Sequence, residues 1–444
     1  MKKIALLMTI CMLAWGTLAG CQRKQAPTPQ ESTSSTVQTS SGVSEEDPVV
    51  ICIEDAFEQD AYELENYLLA KGVETDYEFL VLPNNTEDRE PELTRLRTEI
   101  MAGEGPDAFI LNATIPGTVT DSGDVLESLF PNVEKSMYSH LFLDLEDMVQ
   151  QSEIVDLESC NQTVMNVGVT GDGRFLLPLT YTFSAVVVDE PTLEDPDYTF
   201  STLDELLQSD QEALKEQFAY RTFNLFPNCL GVLADYEGQN LLVTADSLQK
   251  AIEQSNALSA LQNEDYSDSP EVYRAGYSGD GLRSLINTET VYTFFPIPNP
   301  EGGVTAAVTF YAAINRNAAH PQEAFDFIEL LYSEELASTQ GFEVNGRHYG
   351  SIFHYGYSGG LGAAVPVKDE VFFQYLEESG IQPDTMASVR AAVARIDSAK
   401  VYSDLDQDIY ELYETWHFSY GRLDTPLEEL VEQTISSMEM TLAE

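Results

Sequence analysis

The first part of the folded region alternates between strand and helix patterns, which leaves few architectures open to this chain. Val49–Ile53 is a short, continuously apolar run that predicts a strand of a buried parallel sheet, and Tyr77–Leu82 and Ala108–Leu111 predict a second and a third strand. Apolar residues at helical spacing lie between these runs and predict two helices. Strand, helix, strand, helix and strand together predict right-handed crossovers, a parallel sheet and an α/β fold.

The remainder of the chain continues with mixed signals. Val304–Ile314 is apolar and β-like, Pro321 begins a helix, and Pro426 lies at the start of a well-signalled last helix. The stretch over 191–290 is mostly polar and helical in pattern. About 396 residues (444 − 48) follow the first 48, which is enough for two domains.

The first 21 residues have the pattern of a secretory signal. Two lysines precede an apolar run from Ile4 to Trp15, which is shorter than the ~20 residues of a membrane-spanning helix. The following Leu18-Ala19-Gly20-Cys21 resembles the lipobox of bacterial lipoproteins, which implies a diacylglycerol thioether on Cys21. An ordinary signal peptide with a chance cysteine is the alternative. Residues 22–48 are rich in Ser, Thr, Gln and Pro and predict a flexible linker.

The charge of the chain is strongly acidic. The formal net charge is −53, and removal of Lys2 and Lys3 with the signal leaves −55 (20 − 75). Such a surface repels phosphate backbones and anionic lipid headgroups, so nucleic acid is excluded as a partner. The same charge makes a cationic solute, such as a polyamine, an alternative ligand.

Catalytic motifs are nearly absent from the sequence. It contains no phosphate-binding loop, no HExxH and no GxGxxG. Gly356–Gly360 matches the GxSxG of serine hydrolases around Ser358, and Asp404 and His417 follow in triad order. However, the residues before Ser358 make a poor strand and the glycines after it weaken a helix start. We therefore expect no enzyme and keep the hydrolase as the weaker alternative.

Metal and disulfide signals are also weak. Asp404, Asp406 and Asp408 imitate a calcium loop, but the Gly and Glu that such a loop needs are missing, so these residues predict a helix start. Cys52, Cys160 and Cys229 remain after the signal and the lipidation site are set aside. They allow at most one disulfide, and no CxxC pair exists. The sequence predicts neither a metal site nor a cofactor.

Several motifs occur in an order that resembles one protein family. The segments are Ala102–Asp107, Leu141–Leu145, Asp172–Leu179, Pro296–Gly303, Ala312–Ile328 and Gly421–Glu444. The first is similar to the "aGxGPD" lead of the extracellular solute-binding proteins of ABC importers, and the third to their "dGklYglP" hairpin. This carbohydrate-type family takes up oligosaccharides.

The resemblance implies a two-lobe, periplasmic-binding-protein-like fold with a hinge and an interlobe ligand cleft. The first lobe would comprise 49–112 and 304–343, and the second 113–303 and 344–444. The implied function is capture of a small solute, an oligosaccharide by preference, for delivery to ABC permease subunits. We expect a monomer, anchored by lipid at the extracellular face of the cell membrane. A peptide or cationic solute is the alternative ligand, and display or scavenging without transport is an alternative role.

The candidate ligand-binding residues follow from the predicted fold. Ligands bind at the carboxyl ends of parallel strands, and sugars need flat aromatic rings together with polar groups. The candidates are Glu54, Asp55, Asn112, Tyr181, Phe183, Tyr311, Tyr357 and Trp416. Asp55 with Glu58 also fits a capping box, and Trp416 belongs to a helical aromatic stripe, so structural roles are the alternatives.

Overall fold

The fold is known from a computed structural model that describes residues 47–113, 116–118, 125–219, 229–261, 285–286, 288–353, 361, 364–419 and 425–443. Its strands are β1 Val49–Glu54, β2 Tyr77–Leu82, β3 Ala108–Asn112, β4 Val169–Thr170, β5 Gly173–Arg174, β6 Leu177–Thr182, β7 Ala185–Asp189, β8 Ala234–Asp235, β9 Asn240–Leu241, β10 Tyr292–Pro296, β11 Val304–Ile314, β12 Phe342–Val344, β13 Arg347–Tyr349, β14 Val365–Pro366 and β15 Ile396–Val401.

Helices connect and cover these strands. The α-helices are α1 Glu58–Ala70, α2 Thr86–Ala102, α3 Val133–Tyr138, α4 Glu146–Gln151, α5 Gln162–Met165, α6 Leu203–Gln208, α7 Glu212–Ala219, α8 Ala245–Ser259, α9 Pro321–Ile328, α10 Glu334–Ala337, α11 Asp369–Glu378, α12 Pro383–Ala394, α13 Asp404–Ser419 and α14 Leu427–Ala443. Short 3₁₀ helices cover Asp55–Phe57, Leu157–Ser159, Asn166–Gly168, Glu190–Thr192 and Glu329–Tyr332. Among the described residues, no helix is both long and apolar enough to cross a bilayer.

The strand–helix alternation at the start of the folded region forms the parallel part of a seven-stranded sheet. β1 lies between β2 and β3 and runs parallel to both, which confirms the predicted parallel sheet. β11 is also confirmed with its predicted bounds, and it runs antiparallel to β3. The capping box expected from Asp55 and Glu58 is wrong: Asp55 lies in a 3₁₀ turn, and the cap position of α1 falls on Phe57.

β11 joins the parallel strands to the rest of the sheet. Along one of its edges, Val304–Val308 pairs parallel with β15 and Phe310–Ile314 pairs antiparallel with β3. Its other edge pairs antiparallel with β6, which in turn pairs with β14. All eleven residues of β11 are buried. The expected lobe boundaries stay a prediction, and β6, which that prediction gives to the second lobe, shares a sheet with the first.

The described residues form two hydrophobic cores. The first packs the seven-stranded sheet against its covering helices, and the second packs α6, α7, α8, α13 and α14 together. The antiparallel ladder of β7 and β10 lies between them. Val187 and Phe294 belong to the first core, whereas Val186 and Phe295 belong to the second. Successive side chains of a strand point to opposite faces, so this ladder is a wall that both cores share.

The three cysteines of the folded region take no part in a disulfide. Cys52, Cys160 and Cys229 are all buried. Burial raises the pKa of the Cys160 thiol to about 11 and that of Cys229 to about 12. A thiol reacts as its thiolate, so both behave as small apolar side chains at neutral pH.

Candidate ligand site at the carboxyl edge of the sheet

The parallel register brings the predicted polar residues to one edge of the sheet. Glu54, the last residue of β1, is paired with Leu82, the last residue of β2. Ile53 is paired with Ile110, so β3 ends at the same edge two residues later, with Asn112. The carboxyl edge of parallel strands is where ligands of α/β proteins bind.

Glu54 is held by a buried arginine. The two carboxylate oxygens of Glu54 accept hydrogen bonds from Nη1 and Nη2 of Arg89 at 3.0 and 3.1 Å. Glu54 as a whole is only 6% exposed. Arg89 also donates to the carbonyl of Pro83 at 3.0 Å and to that of Glu127 at 2.7 Å. Burial raises the pKa of Glu54, and the charge of Arg89 opposes this rise. The pair therefore fixes the loops that follow β1 and β2 to the segment around residue 127.

Asp55 and Asn112 differ from Glu54 in being open to solvent. Asp55 is exposed in the 3₁₀ turn after β1, and Asn112 is half-buried. The chain continues from Asn112 along β11, where the N–H of Ala113 donates to the carbonyl of Thr309 at 2.8 Å. These two polar side chains can therefore offer hydrogen bonds to a molecule at the edge.

The segment after β3 reaches α13. The N–H of Gly117 donates to Oε1 of Gln407 at 3.0 Å. Gly117 has a φ of +77°, and a Cβ there would overlap the ring of Tyr410. Sequence reasoning did not select Gln407 or Tyr410 as site residues. The sequence feature nearest to this contact is Pro116-Gly117, a pair typical of turns that follows soon after the third strand.

The predicted aromatic residues in β6 and β11, and Phe183 just beyond β6, are core residues. Tyr181, Phe183 and Tyr311 are at most 2% exposed. The hydroxyl of Tyr181 donates to Oδ1 of Asp369 at 2.7 Å. Burial, with a smaller contribution from the charge of Glu54, raises the pKa of Tyr311. In this structure all three support the walls behind the edge.

The two remaining aromatic candidates are Trp416 and Tyr357. Trp416 is half-buried near the end of α13 and packs against the second core. One turn earlier, the hydroxyl of Tyr413 lies 2.8 Å from Oγ of Ser255, which fixes this part of the helix to α8. Tyr357 lies outside the described residues.

The alternative hydrolase triad does not assemble. Asp404 and His417 lie 13 residues apart in the single helix α13, and a rise of 1.5 Å per residue separates them by about 20 Å. A triad needs its members within hydrogen-bond reach. The His417 ring instead stacks on Tyr413, with centroids 5.5 Å apart. Ser358 lies outside the described residues, and no group of three metal-ligating side chains occurs among those described.

Comparisons with known proteins decide the family. The sequence model of the bacterial extracellular solute-binding proteins matches residues 90–337, more than half of the chain. The chain belongs to this family. A search of curated proteins gives no match to it.

Solved structures share the fold of this solute-binding protein. The ABC substrate-binding protein Lmo0181 of Listeria monocytogenes, in complex with cycloalternan, is 11% identical with a TM-score of 0.53. An oligogalacturonide-binding protein of Yersinia enterocolitica is 14% identical, with a TM-score of 0.52. The cyclic α-maltosyl-1,6-maltose binding protein of Arthrobacter globiformis is 12% identical, also with a TM-score of 0.52. Each match covers 89% of this chain and 99% of the other. The predicted family and its α/β, two-lobe binding-protein fold are confirmed.

Proposed function

We propose that this solute-binding protein captures an oligosaccharide outside the cytoplasm and delivers it to the permease of an ABC importer, while a lipid on Cys21 tethers it to the membrane. The family match over residues 90–337 carries the proposal. Structural neighbours that bind cycloalternan, oligogalacturonide and a cyclic maltosyl-maltose support the ligand class. The lipobox and the polar linker support the tether.

We propose that Asp55, Asn112 and Trp416 contact the ligand directly, together with Tyr357. The first three have side chains that solvent reaches, and a carboxylate, an amide and an indole supply the acceptors, donors and apolar face that a sugar ring requires. The buried candidates would not contact the ligand but would hold the strand ends in place. These are Glu54, Tyr181, Phe183 and Tyr311.

A peptide or cationic solute is the second candidate ligand. The observation that favours it is the charge of −55 left after removal of the signal, because such a surface raises the local concentration of cations. Capture would again require no covalent chemistry. The same experiment separates the two ligand classes.

Thermal unfolding in the presence of candidate ligands tests the proposal. A ligand at 100 times its Kd adds about 2.7 kcal/mol to the free energy of unfolding, so a saturating oligosaccharide should raise the melting temperature visibly. Asn112→Ala should weaken this shift, whereas Asp172→Asn, in an exposed turn of the same chain, should leave it unchanged. A shift with spermidine or a peptide and none with any oligosaccharide would overturn the saccharide assignment.

A further inference from the structure

A pocket lies beside β10, the strand that pairs with β7. It has a volume of about 400 Å³ and is formed by α12, β10 and the segment 196–200. This volume falls within the ~300–1,000 Å³ of ligand sites. Asp384, Ala387, Ser388 and Ala391 line it from α12, at spacings of three and four residues that place them on one face of the helix. None of the residues predicted from the sequence as ligand contacts lines this pocket.

One wall of the pocket is a rigid aromatic stack. The half-buried ring of Tyr198 stacks on Phe200, with centroids 6.1 Å apart and planes at 24°. Phe200 stacks in turn on Phe295, at 6.4 Å and 15°. The two phenylalanines are buried and belong to the second core. The ring of Tyr198 is therefore a flat apolar surface whose orientation is fixed by the two phenylalanines stacked beneath it. A sugar ring packs against such a surface.

Arg395 supplies hydrogen-bond donors to the pocket. Its Nη2 donates to the carbonyls of Phe200 and Gly302, each at 3.2 Å. Asp397 is close enough for its charge to act on this half-buried guanidinium, but within the described part of the chain no carboxylate forms an ion pair with it. A guanidinium has five N–H groups, so Nε and Nη1 retain donors for a ligand.

Acceptors surround these donors. The carboxylates of Glu190, Asp197 and Asp384 line the pocket with Ser388, whose Oγ accepts the N–H of Phe294 at 2.8 Å and keeps its own proton to donate. Three carboxylates against one guanidinium oppose an anionic ligand. A neutral ring with many hydroxyl groups uses the donors, the acceptors and the aromatic face together.

We propose that this pocket is a second saccharide site, which binds one neutral sugar ring against Tyr198 with Arg395 as the principal donor. The proposal takes its ligand class from the proposed function, but it does not depend on binding at the carboxyl edge. An additional sugar site on the same protein would hold a long or branched saccharide at two points.

Saturation-transfer NMR on the full chain tests the second site, with methyl α-D-glucopyranoside, methyl α-D-galactopyranoside and methyl α-D-mannopyranoside as probes. Ala391→Trp fills the pocket, whereas Ala394→Trp adds the same bulk to an exposed position of α12 that does not line it. We expect a transfer signal from at least one glycoside with the native chain and with Ala394→Trp, and a clear loss of signal intensity with Ala391→Trp, in which only the carboxyl edge can still bind a glycoside. Tyr198→Ala, which removes the platform without adding bulk, should give the same loss.

The outcomes separate this proposal from the proposed function. Equal signals from Ala391→Trp and Ala394→Trp, or no signal from the native chain with any of the three glycosides, would overturn the second site. Binding of tetramethylammonium in place of the glycosides would overturn it too, because the pocket would then be a cation site. Failure of the oligosaccharide melting shift would instead refute the proposed function and leave the difference between the two tryptophan variants intact.

Discussion

Arg89 joins three parts of the chain through one guanidinium group. It bonds the Glu54 carboxylate at the end of β1, the carbonyl of Pro83 after β2 and the carbonyl of Glu127. Its side chain and that of Glu54 are 2% and 8% exposed. Water cannot replace these bonds at a buried site, so the pair fixes the geometry of the carboxyl edge more firmly than a surface ion pair could.

Arg89→Met should lower the free energy of unfolding by about 3–5 kcal/mol, because Glu54 would stay buried without its partner. Adding Glu54→Gln to this variant should restore part of the loss. Arg95→Met is the control on the same helix, since exposed pairs with Glu92 and Glu99 contribute about 1 kcal/mol or less. Urea denaturation measures all three variants, and equal losses at Arg89 and Arg95 would contradict the assigned role.

The position of Glu54 could be predicted from the sequence, but its partner could not. A polar residue that directly follows a buried apolar run marks a strand end, and that pattern is local. Arg89 lies 35 residues further along, and only the packing of α2 on the sheet brings it within reach. Nothing in the local sequence distinguishes Arg89 from the exposed Arg95.

At the scale of elements, the β7–β10 ladder has the most unusual position. Its adjacent valines serve different cores, with Val187 in the first and Val186 in the second. A strand buried on both faces needs apolar residues at every position, which explains the continuous run from Ala185 to Val188. The local stability of each core should therefore depend on a different residue of the same strand.

Val186→Ala and Val187→Ala form a matched pair that tests this division. Each should lower the free energy of unfolding by about 2 kcal/mol, the scale of burying one valine side chain. Hydrogen exchange followed by mass spectrometry should show Val186→Ala weakening protection mainly in α7 and α8, and Val187→Ala mainly in the seven-stranded sheet. Identical exchange patterns for the two variants would refute the shared wall.

Double-sided burial also explains where sequence analysis of the site was least informative. β1, β2, β3 and β11 could be predicted because apolar runs of strand length are visible locally. In β6 and β11 every residue is buried, so no alternation shows which way a side chain faces. Tyr181 and Tyr311 therefore have the sequence pattern of a sugar platform, while their rings lie in the core.

The whole molecule carries several carboxyl groups whose pKa is raised rather than lowered. Burial, with the nearby charge of Asp406, raises the pKa of Glu134 to about 8. Burial raises the pKa of Asp369 and of Asp404 to about 6 each. The ordinary values are 4.5 for Glu and 3.8 for Asp. Between these values and the raised ones, the folded state binds more protons than the unfolded chain.

Stability should therefore increase as the pH falls from 8 to 5. As the pH falls, the folded state binds a proton first at Glu134 and then, near pH 6, at Asp369 and Asp404. Wherever the folded state binds more protons than the unfolded chain, the free energy of unfolding increases as the pH decreases. Melting temperatures at constant, high ionic strength measure the effect with general charge repulsion screened. Glu134→Gln should flatten the slope between pH 6 and 8, whereas Glu58→Gln, at an exposed position, should not. A stability that falls steadily over this range would contradict the prediction.

The wall between the two cores has a consequence for dissecting the molecule. A gene fragment that ends after β7 would leave Val186 and Val188 facing water, and one that begins at residue 190 would lose those valines and expose Phe295. Either fragment would expose an apolar surface to solvent. We therefore expect that neither fragment can be purified as a soluble, folded protein. Truncation within this protein should therefore give aggregated fragments. Thermal unfolding of the intact protein should show one cooperative transition that includes both cores.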